Sequence, residues 1–161
     1  MIHKIGFLLR FWELKARHAR AGAPLSSRER LELLSLMQLV VGDFRMPQAG
    51  TCARPANALP AQVIGEGTVL PVELRHVCAA ALLVAGARTM ALDERVIVRT
   101  TDALTAVEYT LPCSVAWAFE ATPCIMALVV DGVPTCAEFA ARSEARLTGV
   151  LSLGPHVRLV S

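Results

Sequence analysis

Between about residues 59 and 130, apolar and polar side chains alternate with a period of two. Leu70, Val72 and Leu74 fall on one face of a segment whose other face carries Val69, Glu73 and Arg75. Val96 and Val98 alternate with Arg95, Ile97 and Arg99, and Val107, Tyr109 and Leu111 alternate with Glu108 and Thr110. Val115, Trp117 and Phe119 alternate with Ser114, Ala116 and Ala118, which sets Trp117 on an inward face. Successive side chains of a strand point to opposite faces, so the pattern predicts half-buried strands. They are expected near 61–65, 68–75, 79–84, 95–101, 106–111, 114–120 and 124–130. Glu66-Gly67 reads as a tight turn, and Arg75-His76 as a polar loop between strands. Pro112, inside a continuous run, reads as one long strand bent at a bulge. Short strands separated by turns imply a small antiparallel barrel or sandwich.

The flanks have helical periodicity instead. Over residues 3 to 20, Ile5, Leu8, Leu9, Trp12 and Ala16 share a face, while Lys4, Lys15 and Arg17 lie elsewhere. Ser26 and Glu29 match a capping box, in which each residue satisfies a backbone amide at a helix start. From there Leu31, Leu34, Met37 and Val41 recur at three and four residues, and Leu33, Leu36 and Val40 widen the stripe. A stripe this broad needs a core or an oligomer to cover it. Gly42 is the expected stop. After Pro134, Thr135 and Glu138 match a second capping box, and a C-terminal helix is expected to run to Gly149. The resulting organisation is a helical extension over 1–43, a linker over 44–60, a barrel with its C-terminal helix over 61–150, and a tail over 151–161.

Composition sharpens this picture at two points. The chain of 161 residues is 54% hydrophobic and only 19% charged. The charge deficit against the ~25% of ordinary domains points to apolar surface covered by a protein partner or a second copy. Self-association through the N-terminal helices is one expectation. A net charge of +2 argues neither for nor against nucleic acid, and no nucleic-acid partner is expected. No uncharged run reaches the ~18 residues of a membrane-spanning helix. The apolar start is broken by Arg10 and followed by charge, unlike an export signal. Five cysteines without a C-x-x-C pair fit small core residues in a reducing cytoplasm.

Candidate chemistry is sparse. His3, His18, His76 and His156 are scattered and form no metal-binding spacing, so no metal and no cofactor are expected. There is no nucleophile elbow and no phosphate loop, and no catalytic residue is assigned. Asp93, Glu94 and Asp102 sit at turn positions, where solvated acids belong.

Three segments carry a family resemblance. Thr68 to Val84 (TVLPVELRHVCAAALLV), Ala91 to Arg99 (ALDERVIVR) and Tyr109 to Phe119 (YTLPCSVAWAF) resemble strands of the PilZ domain, a bacterial cyclic di-GMP receptor module. The V-x-W strand and the acidic turn before it are the most specific marks. The resemblance implies a fold that is mainly β with flanking α. It is a six-stranded antiparallel PilZ-like β-barrel with N-terminal helices and a C-terminal helix.

The family's ligand motifs are Arg-x-x-x-Arg before the barrel and Asp/Asn-x-Ser-x-x-Gly between its second and third strands. Here the second becomes Glu73-Leu74-Arg75-His76-Val77-Cys78, and no Arg-x-x-x-Arg precedes the barrel. Arg142 and Arg146 have the spacing but follow it. The expectation is therefore a non-catalytic signalling protein, in motility, pili or cell polarity, acting through protein contacts. Trp12, Leu34, Met37, Val41, Arg75 and His76 are the candidate contact residues. The alternative is a cyclic di-GMP receptor with Arg45, Arg54, Arg75 or Arg88 as non-standard ligands.

Overall fold

Two helices and seven strands make up the described chain. The structure is a computed structural model that describes residues 2–20, 24–48, 55, 58–102 and 105–138. Helix α1 is Ile2–Ala19 and helix α2 is Ser27–Val40, followed by a 3-10 turn at Val41–Asp43. The strands are β1 Leu59–Gly65, β2 Thr68–Val77, β3 Leu82–Gly86, β4 Arg95–Asp102, β5 Val107–Phe119, β6 Cys124–Val130 and β7 Thr135–Glu138.

All pairings are antiparallel, in the order β4-β1-β2-β3-β6-β5-β7, and a further β4–β5 pairing closes the first six strands into a barrel. Closure removes the open edges that a sheet of this size would otherwise present. The alternation read from the sequence holds in its interior. Leu70, Val72, Leu74, Val96 and Val98 are buried, while Val69, Arg95 and Arg99 face outward. Glu66-Gly67 is the two-residue β1–β2 turn, and Gly67 has φ +67, a conformation that glycine adopts without steric cost.

Strand β5 is the long strand expected around Pro112, for a different physical reason. The bulge lies further on, between Val115 and Trp117. Pro112 sits where the edge partner of β5 changes from β6 to β7. Cys113 pairs with Val130 and Thr110 with Thr135, so the missing N–H of Pro112 falls in the gap between the two partners. Its carbonyl accepts from the Asp131 N–H at 3.2 Å.

The bulge also corrects the face of Trp117. Ala116 is the extra residue, so Ala118, opposite Met126, takes the inward position. Trp117 is half-buried outside the barrel against Leu83, Ile125 and Ala127, and Phe119 is exposed. Strand β2 runs through Arg75 and His76, so these two form no loop. A register shift between Leu74 and His76 bulges the strand at Arg75, and the β2–β3 connection is only Cys78–Ala81. Asp102 is buried rather than solvated and accepts a hydrogen bond from the Thr105 hydroxyl.

Thr135–Glu138, read as a capping box, is strand β7 paired with the first residues of β5. The rest of the expected C-terminal helix, with Arg142 and Arg146, lies outside the described residues, as does the 151–161 tail.

The helices pack on the barrel. Ile5, Leu8, Phe11, Trp12 and Leu14 are fully buried and belong to the same apolar cluster as the barrel interior. The Trp12 indole N–H donates to the Ala79 carbonyl at 3.2 Å, pinning α1 to the β2–β3 connection. Helix α2 lies antiparallel on α1 and buries Leu33 and Val40.

Candidate functional site

Helix α2 begins where the sequence predicts. The Ser26 side chain accepts from the Glu29 N–H at 3.3 Å, and Glu29 Oε2 accepts from the Ser26 N–H at 2.9 Å. Its inward side carries ion pairs to α1 beside the buried Leu33 and Val40. Arg10 donates from Nε and Nη2 to the two carboxylate oxygens of Glu32, each at 2.8 Å, and from Nη1 to Glu13 at 3.0 Å. Arg17 holds Glu29 at 2.5 Å. The bond from Arg17, with the Ser26 bonds behind it, lowers the Glu29 carboxyl to about 2. The bond from Arg10 lowers Glu32, and Glu32 in turn raises the Arg10 guanidinium. These are charge-assisted bonds, and the Arg10–Glu32 fork is bidentate, which fixes orientation as well as contact.

The outward side is apolar. Leu31 is 66% exposed, Leu34 57%, Met37 43% and Val41 72%. Among the described residues, twelve large apolar side chains are exposed, and seven of them lie between Leu31 and Met46. The apolar surface is thus concentrated in one segment and not scattered in the ordinary way. The broad stripe of α2 is two faces. Leu33 and Val40 turn inward with the half-buried Leu36, and the predicted contact residues Leu34, Met37 and Val41 turn to solvent. Leu39 and Phe44 are further exposed members that the sequence reading did not single out. The signal was available, because a helix with leucine on both faces cannot bury both against one neighbour.

Trp12 is not part of this surface. It is 1% exposed and anchors α1 within the chain, which corrects its reading as a contact residue. Arg75 is directed outward from β2 but lies low, with Nη2 3.3 Å from Glu73 Oε2.

A second feature lies at the far end of β2. Arg45, Met46, Pro47, Gln48 and the exposed His76 line a cleft of about 710 Å³. The Arg45 carbonyl lies 3.8 Å from the Cys78 thiol, so the segment after α2 lies against the β2–β3 connection. The candidate arginines do not converge there. Arg75 borders a separate hollow on the outer surface with Pro71, Glu73 and Gly86. Arg88 is exposed just beyond the C-terminal end of β3, whereas the cleft lies by the β2–β3 connection that precedes β3. Arg54 lies outside the described residues. Among the described residues no group of three His, Cys, Asp or Glu side chains could hold a metal ion. No described helix is long and apolar enough to cross a membrane.

No family model, curated protein or solved structure matches the chain.

Proposed function

We propose that this chain is a non-catalytic, PilZ-like regulatory module that works by protein–protein contact in bacterial signalling tied to motility, pili or cell polarity. The observation that carries the reading is the outer face of α2. It presents Leu31, Leu34, Met37 and Val41 to solvent while its inner face is clamped to α1. A rigid helix with an apolar face is a common means of docking between proteins. The closed six-stranded antiparallel barrel, with Val115-Ala116-Trp117 on β5, supports the PilZ resemblance. The four described cysteines are free thiols, in keeping with a reducing cytoplasm.

The second reading, a cyclic di-GMP receptor with non-standard ligands, draws on one observation. Arg45 and His76 share a cleft at the β2–β3 connection, where the resemblance implies the nucleotide would bind. Calorimetry with cyclic di-GMP separates the two. The contact-module reading expects no saturable heat at micromolar protein, and a saturable isotherm lost in Arg45→Ala would establish the receptor instead. In cells that encode the chain, Leu34→Glu/Met37→Glu is expected to fail in restoring a deletion phenotype in motility or piliation. Full restoration by a folded double variant would remove the α2 face from the function.

A further inference from the structure

We propose that the outer face of α2 pairs antiparallel with the same face of a second copy, joining two α1–α2 hairpins into a four-helix layer. This rests on the reading of the chain as a protein-contact module and names its partner at that surface.

Leu31, Leu34, Met37 and Val41 recur at three and four residues, so they form a ridge along one side of the helix. Phe44, just after α2, packs edge-on against Phe11 of α1 while staying part-exposed, and it extends the apolar ridge beyond the end of the helix.

Charge then selects the occupant. The acids of α2 are Glu29 and Glu32, and α1 engages both through Arg17 and Arg10. The charges left exposed on α2 are Arg28 and Arg30, both in the first turn, where Arg30 Nε donates to the Leu25 carbonyl at 3.1 Å and its remaining N–H groups face outward with the exposed side chain. From Leu33 to Val41 the chain carries no charge, and the last helical turn has no basic residue. The C-terminal end of a helix carries partial negative charge and is stabilised by nearby cations. A second copy laid antiparallel supplies them. With Leu31 opposite Val41 of the other copy, Leu34 meets Gln38, and Arg30 comes level with Gly42 in the 3-10 turn at the carbonyl end. The two-fold axis repeats this at both ends. A parallel pair would instead set Arg30 beside Arg30 and the two carbonyl ends together. The face is therefore complementary to itself in one direction only.

The test is sedimentation equilibrium on the full 17.3 kDa chain. Wild type is expected to be a dimer at tens of micromolar. Leu34→Glu/Met37→Glu is expected to be a monomer with an unchanged circular dichroism spectrum. If that variant unfolds, Leu31→Glu, at a site 66% exposed, must give the same monomer. Arg30→Glu and Val41→Lys should each weaken the dimer at least tenfold. Combined in one chain they should restore it, because the introduced carboxylate of each copy then faces the introduced ammonium of the other.

A combined variant weaker than either single one would overturn the antiparallel arrangement. A wild type that stays monomeric at 100 micromolar would overturn the second copy as partner. The contact-module reading would survive that result if Leu34→Glu/Met37→Glu still failed in cells. A dimer that persists in Leu34→Glu/Met37→Glu and in Leu31→Glu would assign self-association to another surface.

Discussion

The Arg10 guanidinium grips both carboxylate oxygens of Glu32 at 2.8 Å, on the side of α2 that also buries Leu33 and Val40. With Glu32 and Glu29 turned toward α1, Leu33 and Val40 go inward and Leu31, Leu34 and Val41 are left outside.

The hairpin should therefore loosen in acid. The Glu29 carboxyl is lowered to about 2 and Glu32 is lowered with it, from an ordinary value of 4.5. A carboxyl depressed by folding stabilises the folded state fully above its unfolded value and loses that contribution as pH falls through its folded value. Stability to urea is expected to decline between pH 4.5 and about 2, more steeply for wild type than for Glu29→Gln. Added salt should narrow the difference, because the pairs are solvent-exposed. Parallel pH profiles for the two proteins would show that Glu29 carries no such coupling.

The two tryptophans should behave differently. Trp12 is fully buried and hydrogen-bonded to Ala79, so Trp12→Ala is expected to cost about 3–5 kcal/mol. Trp117 is half-buried on the barrel's outer side, and its truncation should cost roughly 1–2 kcal/mol. Urea midpoints of the two variants give the comparison, and a larger loss at Trp117 would mean that the bulge does not turn it outward.

At the β1–β2 turn, Gly67→Ala is expected to destabilise by about 1–2 kcal/mol, because an L side chain resists φ +67. Glu66→Ala, at its exposed neighbour, should stay within roughly 0.5 kcal/mol. Thermal unfolding of both variants distinguishes backbone strain from general sensitivity of the turn.

Thiol labelling should divide the cysteines by depth. Burial pushes the Cys113 thiol well above its ordinary range, with a smaller contribution from Asp131. The thiolate is the reactive form, so Cys113 should resist alkylation in the folded protein. Cys136 is exposed on β7 and Cys124 is partly exposed, and both should react at pH 8. Peptide mapping after labelling checks this, and early modification of Cys113 would contradict the packing of β5.

Local signals were legible in the sequence wherever they were sufficient alone. The Ser26–Glu29 box lies within one helical turn, and its geometry needs no distant partner. The alternation of Val96 and Val98 with Arg95 and Arg99 needs only one buried face. Ser-x-x-Glu logic failed at Thr135, because the β5 edge offers residues 135–138 hydrogen bonds that a short motif cannot anticipate. Trp117 was set on the wrong face because one extra residue, Ala116, inverts every later position, and only pairing with β6 reveals it. The α2 stripe was visible as apolar. Its division into inner and outer faces depends on where it meets α1, a different helix.

The shared role of β5 bears on how the chain folds as it leaves the ribosome. This strand pairs with β4, β6 and β7, and β3 finds its second neighbour only in β6. Synthesis must therefore pass Val130 before the barrel can close, although α1 was completed more than a hundred residues earlier. Until then the apolar side of α1, with Ile5, Leu8 and Trp12, has no seat. Nascent chains with such surfaces are bound by holding chaperones or aggregate. Slowing translation before β6 has emerged should lengthen that exposed interval and lower the soluble yield.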